Sequence, residues 1–393
     1  MKYIVLLCDG MSDLPCDELG GKTPMTVAKK PNMDLLAKTS QAGLAKTVPD
    51  NLPPGSDVAN LSVLGYNPAE YYTGRSPFEA ASMGIQMTPD DVAVRCNLVT
   101  LSKAENFADA VMLSYCADDI QTQQAAKVIA GVNEKFRNPN MEFFVGISYR
   151  HCLLWKNGKT NLEMIPPHDI IGKRIGDYIK VNAQNRVLYE MMEEWYRFNP
   201  ANCIWLWSEG KKAELPLFRD EFGVDACMIS AVDLLKGIGK IAGMDVLHVE
   251  GATGYIDTNF CGKAAAAIDW LKNGGDLAYI HLEAPDECGH RGEVDNKVKA
   301  IELIDELVLG AILKAFDSGE FGGQGLRILI APDHPTPLNI KTHTRDPVPF
   351  LIWDSQVKHS GVEAFDEFNA ENTGIYIEKG YQLMRKFLCL KNN

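Results

Sequence analysis

Six acidic and imidazole side chains follow short apolar stretches of this 393-residue sequence. They are Asp9, Asp286, His290, Asp333, His334 and His343. Carboxylate oxygens and imidazole nitrogens are ligands that Zn, Mn, Mg and Fe ions accept in proteins. Taken singly, Asp333 with His334 also fits a cap or turn, and Asp286 with His290 fits an ordinary i, i+4 pair. Taken jointly, the six residues predict a site for two metal ions, the arrangement used in two-metal phosphoryl transfer.

The apolar stretches before these residues are typical of strands buried on both faces of a parallel sheet. They cover residues 3–8, 245–249, 277–282, 327–331 and 350–353. In an open parallel sheet, the carboxyl ends of the strands border the ligand crevice. We therefore expect the residues just after the strands to gather at one edge of one sheet.

Helical patterns alternate with these strands. Apolar residues recur at three- and four-residue spacing over 294–315, which predicts an amphipathic helix of about six turns. Two further strand patterns, 141–147 and 152–156, are more isolated and favour an inserted α+β domain. The sequence thus predicts an α/β fold with a mostly parallel sheet sandwiched by helices. Its core would comprise 1–88 and 232–393, and the inserted cap domain would comprise 89–231.

Charge and composition restrict the partners of the chain. The 39 basic and 52 acidic residues give a formal charge of −13, which disfavours nucleic acid or an anionic membrane as a general partner. No apolar run approaches the roughly 18 residues of a membrane span, and the first run is too short for a secretory signal. The ten cysteines form no C-x-x-C pair, which is typical of reduced packing residues. We expect a cytoplasmic protein.

Ser56 is the candidate nucleophile. Two prolines and a glycine, Pro53 to Gly55, break the chain just before a helical pattern that Ser56 opens. Free backbone N–H groups and the helix dipole favour an anion at such a position. A serine there is commonly no more than an N-cap. Beside two metal ions, however, its hydroxyl would ionise easily and could accept a phosphoryl group.

Two glycine-containing segments come close to nucleotide-binding motifs without matching them. Gly21-Lys22-Thr23 is not a phosphate loop, because Cys16 occupies the position of the first glycine. The segment 237–243 has one residue too many for G-x-G-x-x-G, and it follows a helical pattern rather than a strand. The sequence therefore predicts no nucleotide site.

Taken together, the motifs resemble those of the archaeal-type cofactor-independent phosphoglycerate mutases of the alkaline phosphatase superfamily. The resemblance runs nearly end to end and rests on residues 8–11, 54–60, 72–77, 286–290, 332–334 and His343. It implies an alkaline-phosphatase-like core. It also implies two metal sites, the first formed by Asp9, Ser56, Asp333 and His334, and the second by Asp286, His290 and His343.

The activity that this resemblance implies is an isomerisation in glycolysis. Ser56 would take the phosphoryl group of 3-phosphoglycerate and return it to the 2-hydroxyl of the glycerate. The implied substrate is a small phosphorylated hydroxy acid, and the implied cofactors are two divalent ions, Mn, Mg or Zn. Neither 2,3-bisphosphoglycerate nor a nucleotide would be needed. The choice of metal and the oligomeric state stay open.

The resemblance also implies substrate-holding positions in the cap. Arginine suits this role because its planar guanidinium matches carboxylate or phosphate groups in a fork geometry. The implied positions are Arg75, Arg95, Asn97, Arg150, His151, His168 and Lys211. Each one taken alone also fits a surface or interdomain pair.

The cap departs from the family pattern at two places. Ser208 and Glu209 stand where a glycine and a glutamine are common, and Met164 and Ile165 replace a usually polar pair. These departures leave open a phosphotransferase that acts on another small hydroxy acid, such as the homoserine kinase activity proposed for similar bacterial proteins. A third alternative is a metal-binding protein without turnover, which the presence of Ser56 with the full ligand set disfavours.

Overall fold

The chain forms two compact units in the computed structural model, which describes residues 1–390. The core unit consists of Met1–Tyr72 and the chain from Leu215 onward, and the inserted unit consists of Thr73–Glu214. The sequence places these boundaries after residues 88 and 231. The observed boundaries, after Tyr72 and Glu214, come 16 and 17 residues earlier in the chain. The difference arises because a helix at 76–82 packs within the inserted unit, whereas a strand at 226–229 joins the sheet of the core unit.

Thirteen strands lie within residues 1–390. They are β1 (Lys2–Cys8), β2 (Gln41–Ala45), β3 (Val92–Leu101), β4 (Met112–Ser114), β5 (Met141–Phe144), β6 (Arg150–Trp155), β7 (Cys203–Lys211), β8 (Ala226–Ile229), β9 (Asp245–Leu247), β10 (Leu277–Leu282), β11 (Leu326–Ala331), β12 (Val348–Asp354) and β13 (Tyr376–Ile377).

The same residues contain fifteen α-helices, several of them a single turn long. They are α1 (Pro24–Val27), α2 (Pro31–Ala37), α3 (Ser56–Val63), α4 (Pro68–Tyr71), α5 (Ser76–Ser82), α6 (Thr122–Phe136), α7 (Arg186–Tyr196), α8 (Phe218–Phe222), α9 (Asp233–Ile241), α10 (Phe260–Lys272), α11 (Ala284–Arg291), α12 (Val294–Leu303), α13 (Gly310–Asp317), α14 (Glu367–Asn372) and α15 (Gln382–Phe387). None of the helices within residues 1–390 is both long and apolar enough to cross a membrane.

The core unit is built on an eight-stranded, mostly parallel sheet. Its strand order is β13-β2-β12-β11-β1-β10-β8-β9. The five strands from β11 to β9 are parallel to their neighbours, whereas β12 is antiparallel to both β11 and β2. The three strands expected to carry site residues, β10, β1 and β11, are therefore adjacent and parallel. Their carboxyl ends lie side by side, as the sequence predicted.

Helices cover both faces of this sheet. On one face, Ile4 and Leu6 of β1 pack in a buried apolar cluster with residues of α10, α12 and α13. On the other face, the ring of Tyr3 contacts that of Phe387 in α15, and the Tyr279 hydroxyl reaches α3. Alternation along each strand sends neighbouring side chains to opposite faces. A sheet buried in this way accounts for the continuous apolar runs in the sequence.

The helix expected at 294–315 contains an irregularity. α12 and α13 are joined by a π-helical turn, Ile304–Leu309. The segment is therefore one continuous helix in which this turn has the i→i+5 hydrogen bonds of a π-helix. Within the turn, both carboxylate oxygens of Asp305 accept backbone N–H groups of α2, from Asn32 at 3.1 Å and from Met33 at 2.7 Å. The side chain of Asp305 therefore supplies the cap of the α2 N-terminus that the sequence of α2 lacks.

The inserted unit is an α+β structure around the long strand β3. This strand pairs antiparallel with β4, β6 and β7, and β6 also pairs with β5. The predicted strands at 141–147 and 152–156 correspond to β5 and β6. The sequence reasoning missed β3 and β7, the strands that organise the sheet. The apolar side chains of β3 and β7 pack against α6 and α7.

A fully buried ion pair joins two loops of the core unit. Lys297 of α12 donates to Asp13 Oδ2 at 2.7 Å and to the Thr336 carbonyl at 2.8 Å, and both charged side chains are at most 1% exposed. The backbone N–H of Leu338 also points to the Asp13 carboxylate, at 3.2 Å. The loop after β1 and the loop after β11 are thus held to the same ammonium group.

Replacing Lys297 by Met should lower the free energy of unfolding by about 3–5 kcal/mol, because Asp13 would stay buried without its counter-charge. The matched control is Lys272→Met, which breaks a half-exposed pair with Glu320 at 2.8 Å and should cost less than about 1 kcal/mol. Urea unfolding of the metal-free variants, followed by circular dichroism, measures both losses. Equal unfolding midpoints for the two variants would contradict this interpretation.

Candidate active site

Asp9 and Asp333 are buried side by side at the carboxyl ends of β1 and β11. Asp9 is 1% exposed and Asp333 is fully buried. Asp333 Oδ1 accepts the backbone N–H of Gly10 at 3.3 Å and that of His334 at 2.9 Å. Asp333 Oδ2 accepts the side-chain amide of Asn60 at 2.8 Å. The strand register therefore brings the two predicted carboxylates together, and neighbouring backbone fixes the orientation of Asp333.

Ser56 is next to the same carboxylates. It is the first residue of α3, after Gly55 in an extended conformation. Its hydroxyl lies 3.1 Å from His334 Nε2, and His334 Nε2 lies 3.6 Å from Asp9 Oδ1. The Asn60 side chain also donates to the Ser56 carbonyl, at 2.9 Å. The expected N-terminal position of Ser56 is confirmed, and its hydroxyl points into the acidic cluster.

The remaining three candidates form a second group around Asp286, in the first turn of α11. His290 Nε2 lies 3.3 Å from Asp286 Oδ2, and His343 Nε2 lies 3.4 Å from Asp286 Oδ1. The two Nε2 atoms are 2.9 Å apart. Asp286 and His290 are one helical turn apart on the same face of α11, which accounts for their spacing in the sequence.

Close packing connects the two groups. Gly10 has a positive φ of 61°, and a Cβ at this position would lie 2.6 Å from Thr336 Oγ1 and 2.7 Å from the Asp286 Cα. Only glycine fits such a backbone position without strain. The Thr336 hydroxyl donates to Asp286 Oδ1 at 2.5 Å and lies 3.3 Å from His334 Nδ1. Thr336 thus contacts one residue from each expected metal site.

The pKa values reflect the concentration of buried charge. Burial, together with repulsion from Asp333 and Asp286, raises the pKa of Asp9 well above its usual range. Burial opposes ionisation of Asp286, but hydrogen bonds from His290 and His343 hold its pKa well below the ordinary value. Burial also disfavours charge on His290, yet its hydrogen bond to Asp286 and the charge of that carboxylate raise its pKa to about 9. The cluster therefore favours positive charge between its carboxylates.

The ligand atoms are close enough to share metal ions. The atoms of Asp286, His290 and His343 lie within 4.8 Å of one another, and so do those of Asp9, Asp286 and His334. Asp286 belongs to both groups, which differs from its expected place in only one of the two sites. Asp9 Oδ1 is buried and has no hydrogen-bond partner within residues 1–390. A carboxylate oxygen left in that state fits a cation ligand.

The histidine tautomers also fit a metal site. His290 Nδ1 faces the Lys341 carbonyl at 3.0 Å, and His343 Nδ1 faces the Pro54 carbonyl at 3.3 Å. A carbonyl only accepts, so each Nδ1 carries a proton, and Nε2 is the nitrogen that would bind a metal ion after losing its own proton. Outer hydrogen bonds of this kind orient metal-binding histidines. Imidazole nitrogens combined with carboxylate oxygens suit Zn or Mn ions.

Four of the expected substrate-holding residues are close together in the inserted unit. Arg75 Nε and Arg95 Nη1 both donate to Glu79 Oε1, at 2.9 and 2.8 Å. Arg95 Nε also donates to Asn97 Oδ1 at 3.2 Å. Arg150 is opposite Asn97 in the pairing of β6 with β3, so the two side chains share a face of the sheet. Burial would raise the pKa of Glu79, but Arg95 and Arg75 hold it below the usual range.

An indole ring packs against this basic cluster. The guanidinium of Arg95 lies 5.0 Å from the ring centroid of Trp207, and the centroid of the His168 ring lies 5.5 Å from that of the same indole. Trp207 Nε1 also donates to Asn97 Oδ1 at 3.2 Å. The indole therefore orients the arginine by stacking and the asparagine by a hydrogen bond.

Two expected residues are not brought to the basic cluster. His151 pairs with Cys96 and faces the opposite side of the sheet from its chain neighbour Arg150. It is 3% exposed, and burial lowers its pKa to about 4. Lys211 is an exposed residue at the end of β7. Because its imidazole faces away from the basic cluster, the expected role of His151 in holding the substrate stays a prediction that this cluster does not support.

A family model matches part of the chain, and a named relative matches nearly all of it. A family model described as 2,3-bisphosphoglycerate-independent phosphoglycerate mutase matches residues 37–201. A protein of Geobacter sulfurreducens, named a "Probable 2,3-bisphosphoglycerate-independent phosphoglycerate mutase", is 46% identical over 99% of this chain and all of its own length. The chain belongs to this mutase family.

Solved structures agree with the fold of this mutase family. A protein from Pyrococcus horikoshii has a TM-score of 0.79 at 26% identity and covers 100% of this chain and 98% of its own. The cofactor-independent phosphoglycerate mutase of Thermoplasma acidophilum has a TM-score of 0.64 at 24% identity, with 99% coverage of each chain. The expected α/β fold with a mostly parallel sheet is confirmed. The comparisons do not favour the homoserine kinase alternative, because the named relatives are mutases.

Membership in the 2,3-bisphosphoglycerate-independent mutase family implies divalent metal ions and no bisphosphoglycerate cofactor. The two groups of acidic and imidazole ligands fit that requirement. Sequence reasoning missed three supporting residues of the site, namely Asn60, Thr336 and His281. Asn60 and Thr336 are common polar residues without a spacing signal. His281 was hidden within the apolar run of β10, where burial lowers its pKa to about 3.

Replacing Asn60 by Leu should weaken Mn²⁺ binding by about 10- to 100-fold, because the amide that orients Asp333 would be lost. Tyr279→Phe is the matched control. It removes only the hydroxyl that donates to Asn60 Oδ1 at 2.8 Å and should change the affinity by no more than a few-fold. Isothermal titration with Mn²⁺ measures both variants. An unchanged dissociation constant for Asn60→Leu would show that Asp333 needs no such support.

Proposed function

We propose that the chain interconverts 3-phosphoglycerate and 2-phosphoglycerate through a phosphoserine at Ser56. The observation that carries the proposal is the position of the Ser56 hydroxyl, 3.1 Å from His334 Nε2 at the start of α3. Membership in the mutase family supports it. The same arrangement without a suitable hydroxyl could bind metal ions but could not accept a phosphoryl group.

Two divalent ions, when bound, would lower the pKa of the serine hydroxyl and neutralise charge on the phosphoryl oxygens. Asp9, Ser56, Asp333 and His334 would hold one ion, and Asp286, His290 and His343 the other. Asp286 also lies close enough to contribute to the first site. Manganese, magnesium or zinc fits this donor set. A reaction in glycolysis and residence in the cytoplasm are part of the same proposal.

The reaction then consists of two transfers between oxygen atoms. In the first, Ser56 Oγ loses its proton and forms a bond to phosphorus while the bond from phosphorus to the 3-oxygen of the substrate breaks; the 3-oxygen takes up a proton, leaving glycerate bound. In the second, the 2-hydroxyl of the glycerate attacks the phosphoserine and releases Ser56. The N-terminus of α3 favours the phosphoryl anion during both transfers. No external phosphate donor is required, because the phosphoryl group that leaves is the one that returns.

The glycerate must stay bound between the two transfers, since water would otherwise hydrolyse the phosphoserine. We propose that Arg75, Arg95, Asn97 and Arg150 bind its carboxylate and hydroxyl groups. Their support is the cluster around Glu79, which holds two guanidinium groups in fixed orientations. Arg150 Nε is buried without a hydrogen-bond partner within residues 1–390, which suits an anion ligand. His168, in contact with Trp207, would complete this set, whereas Lys211 is supported only by the resemblance.

The substrate assignment is tested by giving the purified protein 3-phosphoglycerate with an enolase-coupled readout, and homoserine with ATP in a parallel assay. We expect 2-phosphoglycerate at enzymic rates and no homoserine phosphate. Protein stripped of divalent ions by a chelator should be inactive until Mn²⁺, Mg²⁺ or Zn²⁺ is returned. Formation of homoserine phosphate without mutase activity would overturn the proposal.

Ser56→Ala should reduce mutase activity by at least about 10⁴-fold, because no other group can carry the phosphoryl between the two transfers. Mn²⁺ binding should be largely retained, since the acidic and imidazole ligands remain. Ser62→Ala is the matched control: Ser62 is in the same helix, and its hydroxyl donates to the Thr47 carbonyl rather than facing the acidic cluster. Appreciable activity in Ser56→Ala would exclude the phosphoserine route.

A further inference from the structure

His281 connects a carboxylate of the site to the interior of the sheet. It belongs to β10, every residue of which is buried, and its own side chain is fully buried. His281 Nε2 lies 2.7 Å from Asp9 Oδ2. His281 Nδ1 lies 3.0 Å from the Ser230 hydroxyl, just after β8. The imidazole therefore contacts residues that follow the two strands on either side of β10.

The hydrogen-bond partners determine which nitrogen carries the proton. The Ser230 oxygen already accepts the backbone N–H of Val232 at 3.0 Å, so its own hydrogen is available to donate to His281 Nδ1. An imidazole that accepts at Nδ1 carries its proton at Nε2. That N–H points to Asp9 Oδ2, which can only accept when the carboxylate is ionised, the form that binds a cation. His281 is therefore a donor to Asp9 rather than a further metal ligand.

This contact makes the two oxygens of Asp9 different. Oδ2 accepts from His281, whereas Oδ1 is buried, has no hydrogen-bond partner among the described residues 1–390, and lies 3.6 Å from His334 Nε2. The backbone of Asp9 is also fixed, because its N–H donates to the Leu282 carbonyl at 3.0 Å. A carboxylate held through its backbone N–H and through Oδ2 presents Oδ1, the oxygen without a described partner, as the first ligand for a cation.

The position of His281 is fixed in turn by its surroundings. β10 is paired in parallel register with β1 and β8, with His281 opposite Leu7. Lys263 of α10, which is fully buried, donates its ammonium group to the His281 carbonyl at 3.0 Å. The imidazole cannot rotate away without breaking contacts to both Ser230 and Asp9.

We propose that His281, supported by Ser230, is a positioning residue that holds Asp9 Oδ2 and presents Oδ1 as a single-oxygen ligand to one of the two divalent ions. This inference rests on the proposed function, because it assumes that Asp9 binds a metal ion. It adds two residues to the site that act through Asp9 and touch neither substrate nor metal.

The test is the binding of Mn²⁺ to His281→Leu, His281→Gln and Ser230→Ala, measured by isothermal titration and by the electron paramagnetic resonance of bound Mn²⁺. We expect His281→Leu to weaken one of two sites by about 10- to 100-fold and to leave the other unchanged. His281→Gln, whose amide can donate from a similar position, should recover most of this loss. Ser230→Ala should have a smaller effect. Without the Ser230 hydroxyl the tautomer of His281 is no longer fixed, but part of the molecules still carry the proton at Nε2 and still donate to Asp9.

Ile280→Val is the control for a general loss of packing, because Ile280 is a fully buried neighbour in β10 whose side chain faces away from Asp9. It should leave both Mn²⁺ sites unchanged. Two unaltered sites in His281→Leu would overturn the inference and leave the proposed function intact. If His281→Leu does not fold, Ser230→Ala decides the question. A weakened single Mn²⁺ site in Ser230→Ala supports the inference, and an unaltered affinity at both sites with unaltered Mn²⁺ spectra overturns it. Failure of the unmodified protein to bind Mn²⁺ would instead contradict the proposed function itself.

Discussion

Mutual repulsion among three buried carboxylates is the constraint on which the rest of the site depends. Asp9, Asp286 and Asp333 are each at most 5% exposed and lie at adjacent strand ends. Burying several negative charges in one cluster is costly unless cations or protons compensate them. The raised pKa of Asp9 and the raised pKa of His290 are two consequences of the same constraint. Divalent ions bound in this cluster would supply the missing positive charge.

The surrounding structure holds these carboxylates in place from outside the site. Asn60 fixes Asp333, His281 fixes Asp9, and Thr336 contacts Asp286. Further out, the buried ammonium of Lys297 joins the loops that follow β1 and β11. Stability and function are therefore coupled in the core unit, since the same buried polar contacts that hold the loops also orient the ligands.

Much of the site could be predicted because its residues occupy simple positions in an α/β fold. Asp9, Asp286 and Asp333 follow apolar runs, and a parallel sheet brings such positions together. The strand order could not be read from the runs, and neither could the antiparallel direction of β12, because periodicity carries no pairing information. His281 was missed because a histidine within a buried strand gives no pattern. The position of His151 opposite to Arg150 could have been foreseen, since neighbouring residues of a strand face opposite sides.

If the phosphoryl group passes through Ser56, a phosphoserine forms during turnover and can be trapped. The metal-loaded protein would be mixed with ³²P-labelled 3-phosphoglycerate, quenched in acid within milliseconds, digested and mapped by mass spectrometry. We expect label on the peptide that contains Ser56, appearing before label accumulates in 2-phosphoglycerate and disappearing when unlabelled glycerate is supplied. Full conversion of 3-phosphoglycerate to 2-phosphoglycerate with no label on the protein at any time would contradict it.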